Sequence, residues 1–256
     1  MAVALLEVLA AACGGTQDVP PTAGTGGGPA PVPIPGSYTD HRQRFLDLYL
    51  RKDYAAAMKE ALAALEAAPG EREPYMLVSK TFIDAGQDAQ GAEFFGLVAG
   101  KLPDQPEPWF FKGFHEARLG RWEEARASLE KAVSLAPADG EAHYRLGLVL
   151  EKRGEAERAI EELRKAYEMS GRTAGKASSL MTALSAKGRD AEAEAIAQEI
   201  LSRAPDSAET QYAVARLRLA QKRWPEAEAA LERALALSPG FAPARADLDR
   251  LLAARR

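Results

Sequence analysis

The stretch GRTAGKASS, residues 171–179, comes closer than any other segment to a loop that could cradle phosphate. Such a loop needs four residues between its glycines, then Lys followed by Ser or Thr, all after a strand. Here three residues separate Gly171 from Gly175, Lys176 is followed by Ala177, and the preceding residues read as helix. Nucleotide chemistry is therefore not expected. The three histidines, His41, His115 and His143, lack a His or Cys partner at the spacing that lets one helix hold a metal. They read as structural or surface residues. The acidic pairs Glu123–Glu124 and Glu161–Glu162 fit a solvated helix face better than a pair of acid–base catalysts. Cys13 is the only cysteine, which excludes an internal disulfide and a Cys-rich zinc site. No catalytic constellation emerges, so the chain reads as a non-enzyme without cofactor or metal.

The elements around these residues follow from composition. The formal net charge is −4, so no basic face draws nucleic acid. Alanine is abundant and β-branched residues are sparse, a mixture that favours helix over strand. Residues 14–37, GGTQDVPPTAGTGGGPAPVPIPGS, break from the rest in being dominated by Gly and Pro. A segment of that kind cannot bury enough apolar surface to offset its ordering entropy. It is expected to be a disordered linker with a reach between roughly 25 Å as a coil and about 75 Å fully extended.

From Tyr38 onward the sequence repeats every 34 residues, with frames starting at Tyr38, Arg72, Pro106, Gly140, Ala174 and Ala208. Position 15 of each frame is Lys52, Gly86, Gly120, Gly154, Gly188 and Lys222, where one helix should end in a left-handed residue. Position 20 is Ala57, Gly91, Ala125, Ala159, Ala193 and Ala227, small enough for paired helices to approach closely. Position 32 is Pro69, Pro103, Pro137, Gly171, Pro205 and Pro239, which stops the second helix. A fixed 34-residue period without insertion implies a solenoid of helix pairs.

The third frame, PEPWFFKGFHEARLGRWEEARASLEKAVSLAPAD, resembles the tetratricopeptide repeat family at Trp109, Gly113, Ala125, Leu129, Ala132 and Pro137. The fourth does so at Leu146, Gly147, Leu150, Ala159, Leu163 and Ala166. Lys112 and Arg44 depart from an expected leucine, and Glu116 and Arg218 from an expected tyrosine. The resemblance implies an all-α, right-handed α-solenoid of six repeats: 38–71, 72–105, 106–139, 140–173, 174–207 and 208–241. Residues 242–256 hold one more first helix, a cap, and a tail. Nothing comparable precedes Tyr38, so the first repeat is expected to fray or to rest on a partner.

In that family first helices line the concave surface, and the resemblance implies a protein or peptide cargo there. Positions 5, 9 and 12 form one helical stripe. It reads Met76, Lys80, Ile83, then Phe110, Phe114, Ala117, then Tyr144, Leu148, Glu151, and Tyr212 holds position 5 of the sixth repeat. Met76, Ile83, Phe110, Phe114, Tyr144, Leu148 and Tyr212 are the candidate groove; the competing reading is packing between adjacent first helices. Glu73, Glu107, Glu141 and Glu209 share position 2, where the helix dipole favours an acid and where an acidic rim would select basic segments. Arg42, Leu46, Leu77, Glu107 and Phe111 stand where chaperone-binding members carry a carboxylate clamp, so Hsp70 and Hsp90 tails are not expected partners.

Residues 2–12, AVALLEVLAAA, resemble the lipobox region of bacterial lipoproteins, with Cys13 as the residue that becomes lipidated. Residues 1–13 then form a signal segment, and the linker holds the array away from an outer membrane, facing the periplasm. No Lys or Arg precedes the apolar run and Glu7 interrupts it, features that a signal peptide normally avoids. With repeat count and anchor together, the chain is similar to pilotin lipoproteins. The alternatives are a cytoplasmic adaptor and a non-catalytic subunit of an enzyme complex.

Overall fold

The computed structural model describes residues 36–254; Cys13 and nearly all of the Gly/Pro segment lie outside them. The described residues form thirteen helices and no strand. First helices are α1 (Tyr38–Leu50), α3 (Arg72–Asp84), α5 (Pro106–Arg118), α7 (Gly140–Lys152), α9 (Ala174–Ala186), α11 (Ala208–Ala220) and α13 (Ala242–Ala253). Second helices are α2 (Tyr54–Ala67), α4 (Asp88–Lys101), α6 (Trp122–Leu135), α8 (Ala156–Met169), α10 (Asp190–Arg203) and α12 (Trp224–Leu237). Every first helix thus begins at position 1 of the 34-residue frame and every second helix at position 17.

The turn inside each repeat is the same turn six times. Position 15 has positive φ in every case, including Lys52 (φ 61°) and Lys222 (φ 60°). The N–H of position 16 reaches back to the carbonyl of position 11, as in Asp53 to Leu48 at 3.1 Å and Arg121 to Glu116 at 2.9 Å. That is the Schellman closure, which satisfies carbonyls that a helix end leaves open. Positions 8 and 20 set how closely the two helices of a repeat approach. A Cβ on Gly113 would stand 2.7 Å from Leu129 Cγ, and one on Gly147 2.7 Å from Leu163 Cγ.

The helices sort into two compact units, one ending at Pro137 and one starting at Ala138. Unit 1 holds α1–α6 and unit 2 holds α7–α13, each stacked as a solenoid in which successive helices touch. The core of unit 1 is aromatic: Tyr75, Phe95 and Phe111 stack within 6.4 Å of one another. In unit 2 it is aliphatic, with Leu163, Leu180, Met181 and Leu184 buried between α8, α9 and α10.

The first repeat is better finished than the sequence suggests. Ser37 and Asp40 close a capping box at the start of α1. In α13, positions 3, 7 and 10 (Ala244, Leu248, Leu251) pack on α12. The same positions of α1 are Asp40, Arg44 and Asp47, all exposed. Among the described residues, α1 thus carries charge at the positions that on α13 pack against the preceding second helix.

Candidate functional site

The candidate groove residues of unit 1 fall into two environments. On α3, Met76 is 51% exposed, and Ile83 is half-buried. Lys80 lies with its Nζ 4.7 Å from the centre of the Tyr49 ring on α1. On α5, Phe110 is only 5% exposed, with the Arg72 guanidinium 4.0 Å above its ring and Phe111 edge-on at 4.9 Å. Phe114 is half-buried, edge-on to His115 at 5.7 Å. Position 5 therefore holds an open side chain on α3 and a packed one on α5.

In unit 2 the corresponding rings are half-buried and already partnered. Lys176 Nζ sits 3.4 Å from the centre of the Tyr144 ring and also pairs with Glu141. Burial pushes the ammonium of Lys176 below its ordinary pKa, against the pull of Glu141. Tyr144 hydroxyl and Ser179 Oγ lie 3.0 Å apart, and Tyr144 and Leu148 pack against the aliphatic core. Tyr212 donates to Asp247 Oδ2 at 2.9 Å and meets Phe241 edge-on at 5.3 Å. The covering cations Arg72 and Lys176 were not visible along single frames. They emerge only when neighbouring first helices are laid side by side.

The histidines are structural, and each hydrogen-bonds a carboxylate through Nδ1. His41 meets Glu60 at 2.8 Å, and His143 meets Glu162, both bonds running from position 4 to position 23 of one repeat. Glu162 also takes Lys165 at 2.8 Å, so it is a working partner and not simply part of a solvated acidic face. His115 is fully buried between repeats two and three, bonded to Asp88 at 2.8 Å and Ser79 at 3.0 Å. It stacks on Phe95, and a Cβ on Gly91 would stand 2.7 Å from its ring, so glycine at position 20 there makes room for it. Burial pushes the His115 imidazole below its ordinary pKa despite Asp88. Burial acts to raise the Asp88 carboxyl, but Arg118 at 2.6 Å and His115 hold it below the usual range.

The position-2 acids are engaged to different extents. Glu73 accepts from Arg42 at 2.6 Å, Glu141 from Arg145 at 2.8 Å, and Glu209 from Ser207 at 2.9 Å. The two repeats with a charged residue at position 11 carry open clefts on their second-helix side. Glu116, 5% exposed and bonded to Ser128 at 2.7 Å, lines a cleft of about 420 Å³ with Glu93 and Arg121. Arg218, held by Glu194 at 2.9 Å, borders one of about 610 Å³ floored by Leu201 and Val214. Gly171 and Arg172 both have positive φ and lead into α9, and the Arg203 guanidinium bonds their carbonyl oxygens. Among the described residues, no group of His, Cys, Asp and Glu is arranged to hold a metal, and no helix is long and apolar enough to cross a membrane.

Comparison with known proteins agrees with this architecture. The tetratricopeptide repeat family model matches residues 115–175 and 180–240. A comparison with curated proteins gives no match. Among solved structures, the chain is similar to a tetratricopeptide repeat protein from Parabacteroides merdae, with 12% identity and a TM-score of 0.59, covering 84% of each chain. A thermophilic TPR protein of Thermus thermophilus gives 19% identity and a TM-score of 0.51 over 84% of this chain and 99% of that one. MamA from Desulfovibrio magneticus gives 19% identity and 0.52 over 64% and 93%. At these identities the likeness shows the fold: helix pairs of the tetratricopeptide repeat type.

Proposed function

We propose that this protein, built on the tetratricopeptide repeat fold, is a non-catalytic scaffold. It holds a protein or peptide partner on the first-helix face and is tied to a membrane through a lipidated Cys13. The observation that carries the docking half is on α3 and α1. Met76 (51%) and Leu50 (80%) are apolar side chains exposed on first helices, with half-buried Tyr49 and Ile83 nearby in the frame. Apolar side chains exposed as a contiguous patch mark contact sites. The rings expected to anchor a cargo at positions 110, 144 and 212 are committed to packing and internal bonds, which leaves Met76, Ile83 and Phe114 as the accessible set.

The membrane half rests on residues 2–13 and on the Gly/Pro tether that follows. Two or more acyl chains on Cys13 would be needed for stable anchoring, since one binds only marginally. A pilotin-like role in the cell envelope is the narrowest form of this reading. The test has two arms. A photo-crosslinker at Leu50, in the native host, should capture one discrete partner, and adding Met76→Asp should abolish that capture. The intact mass of the native protein should equal that of a chain beginning at an acylated Cys13. A free thiol on a full-length chain would move the same docking face to a cytoplasmic adaptor or a non-catalytic subunit of an enzyme complex.

A further inference from the structure

The first-helix face of unit 2 differs in chemistry from that of unit 1. Where α3 presents Met76, Lys80 and Ile83 at positions 5, 9 and 12, α9 presents Ser178, Thr182 and Ser185. The Thr182 hydroxyl is satisfied by the carbonyl oxygens of Ser178 at 3.0 Å and Ser179 at 2.9 Å. Ser185 donates to Asp190 at 2.8 Å. Ser178 is the exception: it is 4% exposed and its hydroxyl is buried without a hydrogen-bond partner. A buried hydroxyl left unpaired costs free energy, and this one lies beneath the face, out of reach of an occupant.

One first helix further on, at the register of Thr182, stands Arg216. It is half-buried and has no carboxylate at ion-pair distance among the described residues. The acids on the same face are each committed. Glu141 pairs with Lys176 and Arg145, Asp247 with Tyr212 and Arg250, and Glu209 bonds the Ser207 hydroxyl at the start of α11. Arg216 is thus the cation on α9 and α11 whose partial desolvation is offset by no internal counterion. Its planar fork suits a carboxylate bidentately.

We propose that the first-helix face along α9 and α11 takes an extended partner segment carrying an acidic side chain, whose carboxylate pairs with Arg216. This rests on the reading of the first-helix face as the docking surface and names the chemistry of the occupant. It also reverses the polarity suggested by the position-2 glutamates, which are already engaged at 73, 141 and 209.

The experiment uses the full chain and three fluorescein-labelled 12-residue peptides of alternating Glu/Ser, Gln/Ser and Lys/Ser, titrated by fluorescence anisotropy at low salt. The Glu peptide should bind about 10-fold or more tightly than the Gln peptide, and Arg216→Gln should remove that margin while helicity is unchanged. Equal binding of the Glu and Gln peptides, binding of none, or a Glu peptide indifferent to Arg216→Gln overturns the proposal. A crosslinked partner lost on Met76→Asp but retained by Arg216→Gln would leave the docking face standing and remove its acidic specificity.

Discussion

Gly113→Ala is the substitution on which the close-approach argument can be decided. Gly113 lies inside α5, where alanine would ordinarily be preferred to glycine by about 1 kcal/mol. Against that stands the space available. The new Cβ would lie 2.7 Å from Leu129 Cγ, 3.1 Å from the Ala125 carbonyl oxygen and 3.1 Å from Ser128 Cβ. None of these is the free end of a flexible side chain: one is a branch point, one is backbone, and Leu129 is fully buried. Relief must come from moving α6 away from α5, an overpacking cost of roughly 1–3 kcal/mol, part of which the helix preference offsets. The net expectation is a loss of about 1 kcal/mol, and at most about 2 kcal/mol. Gly100→Ala is the control, because Gly100 is exposed on α4 with nothing within 4 Å of its Cβ position. It should gain about 0.5–1 kcal/mol. Urea denaturation followed by far-UV circular dichroism, read as a shift of midpoint at constant slope, measures both. Should Gly113→Ala prove as stable as the parent while Gly100→Ala gains as expected, position 8 does not set the helix approach.

Lys52→Gly and Lys222→Gly should each stabilise by about 0.5–1 kcal/mol, because both lysines hold a left-handed backbone that glycine adopts freely; thermal melts read this directly. Phe110→Ala should cost about 3–5 kcal/mol through the cavity left in a buried site, so weakened partner binding by that variant reports on folding, whereas Met76→Ala should stay within about 0.5 kcal/mol. His115 is held neutral in the folded chain, with Ser79, Asp88 and Arg118 around it, and its folded pKa lies below its unfolded one. Its contribution is therefore present above about pH 6.5 and is lost as pH falls through the folded value. His115→Asn, which keeps a donor toward Asp88 but does not titrate, should flatten that part of a stability profile between pH 8 and 5; an unchanged slope would remove His115 as its source.

What the sequence exposed was the part of the fold that repeats. Columns 15, 20 and 32 each stand for one local constraint, a left-handed turn, a close approach and a helix stop, so helix starts at positions 1 and 17 follow from the 34-residue frame. What it hid was the part that depends on neighbours in space. Phe110 and Met76 share a column, yet one lies under Arg72 and the other is open. The difference lies in residues 34 or more away, whose side chains reach across helix pairs. His115 was hidden for the same reason: its site is made by Gly91, Ser79 and Asp88, each innocuous in its own frame.

The two end helices show how much a single column can carry once the packing is known. On the first helices of the repeats, positions 4, 8 and 11 face the second helix of the same repeat: His41 and His143 bond there, Gly113 and Gly147 pack there, and Glu116 meets Ser128 there. On α13 those positions are Arg245, Asp249 and Leu252, all exposed, while its positions 3, 7 and 10 are Ala244, Leu248 and Leu251, buried on α12. On α1 the pattern is inverted. His41 and Phe45 are buried at positions 4 and 8, and Asp40, Arg44 and Asp47 are exposed at 3, 7 and 10. Within a unit, a first helix that follows a second helix needs both sides apolar, because it is covered by two second helices. A helix covered on one side would expose a ready template for another copy of the chain, and charge on the uncovered side raises the cost of that contact, since the charges would be desolvated without assured partners.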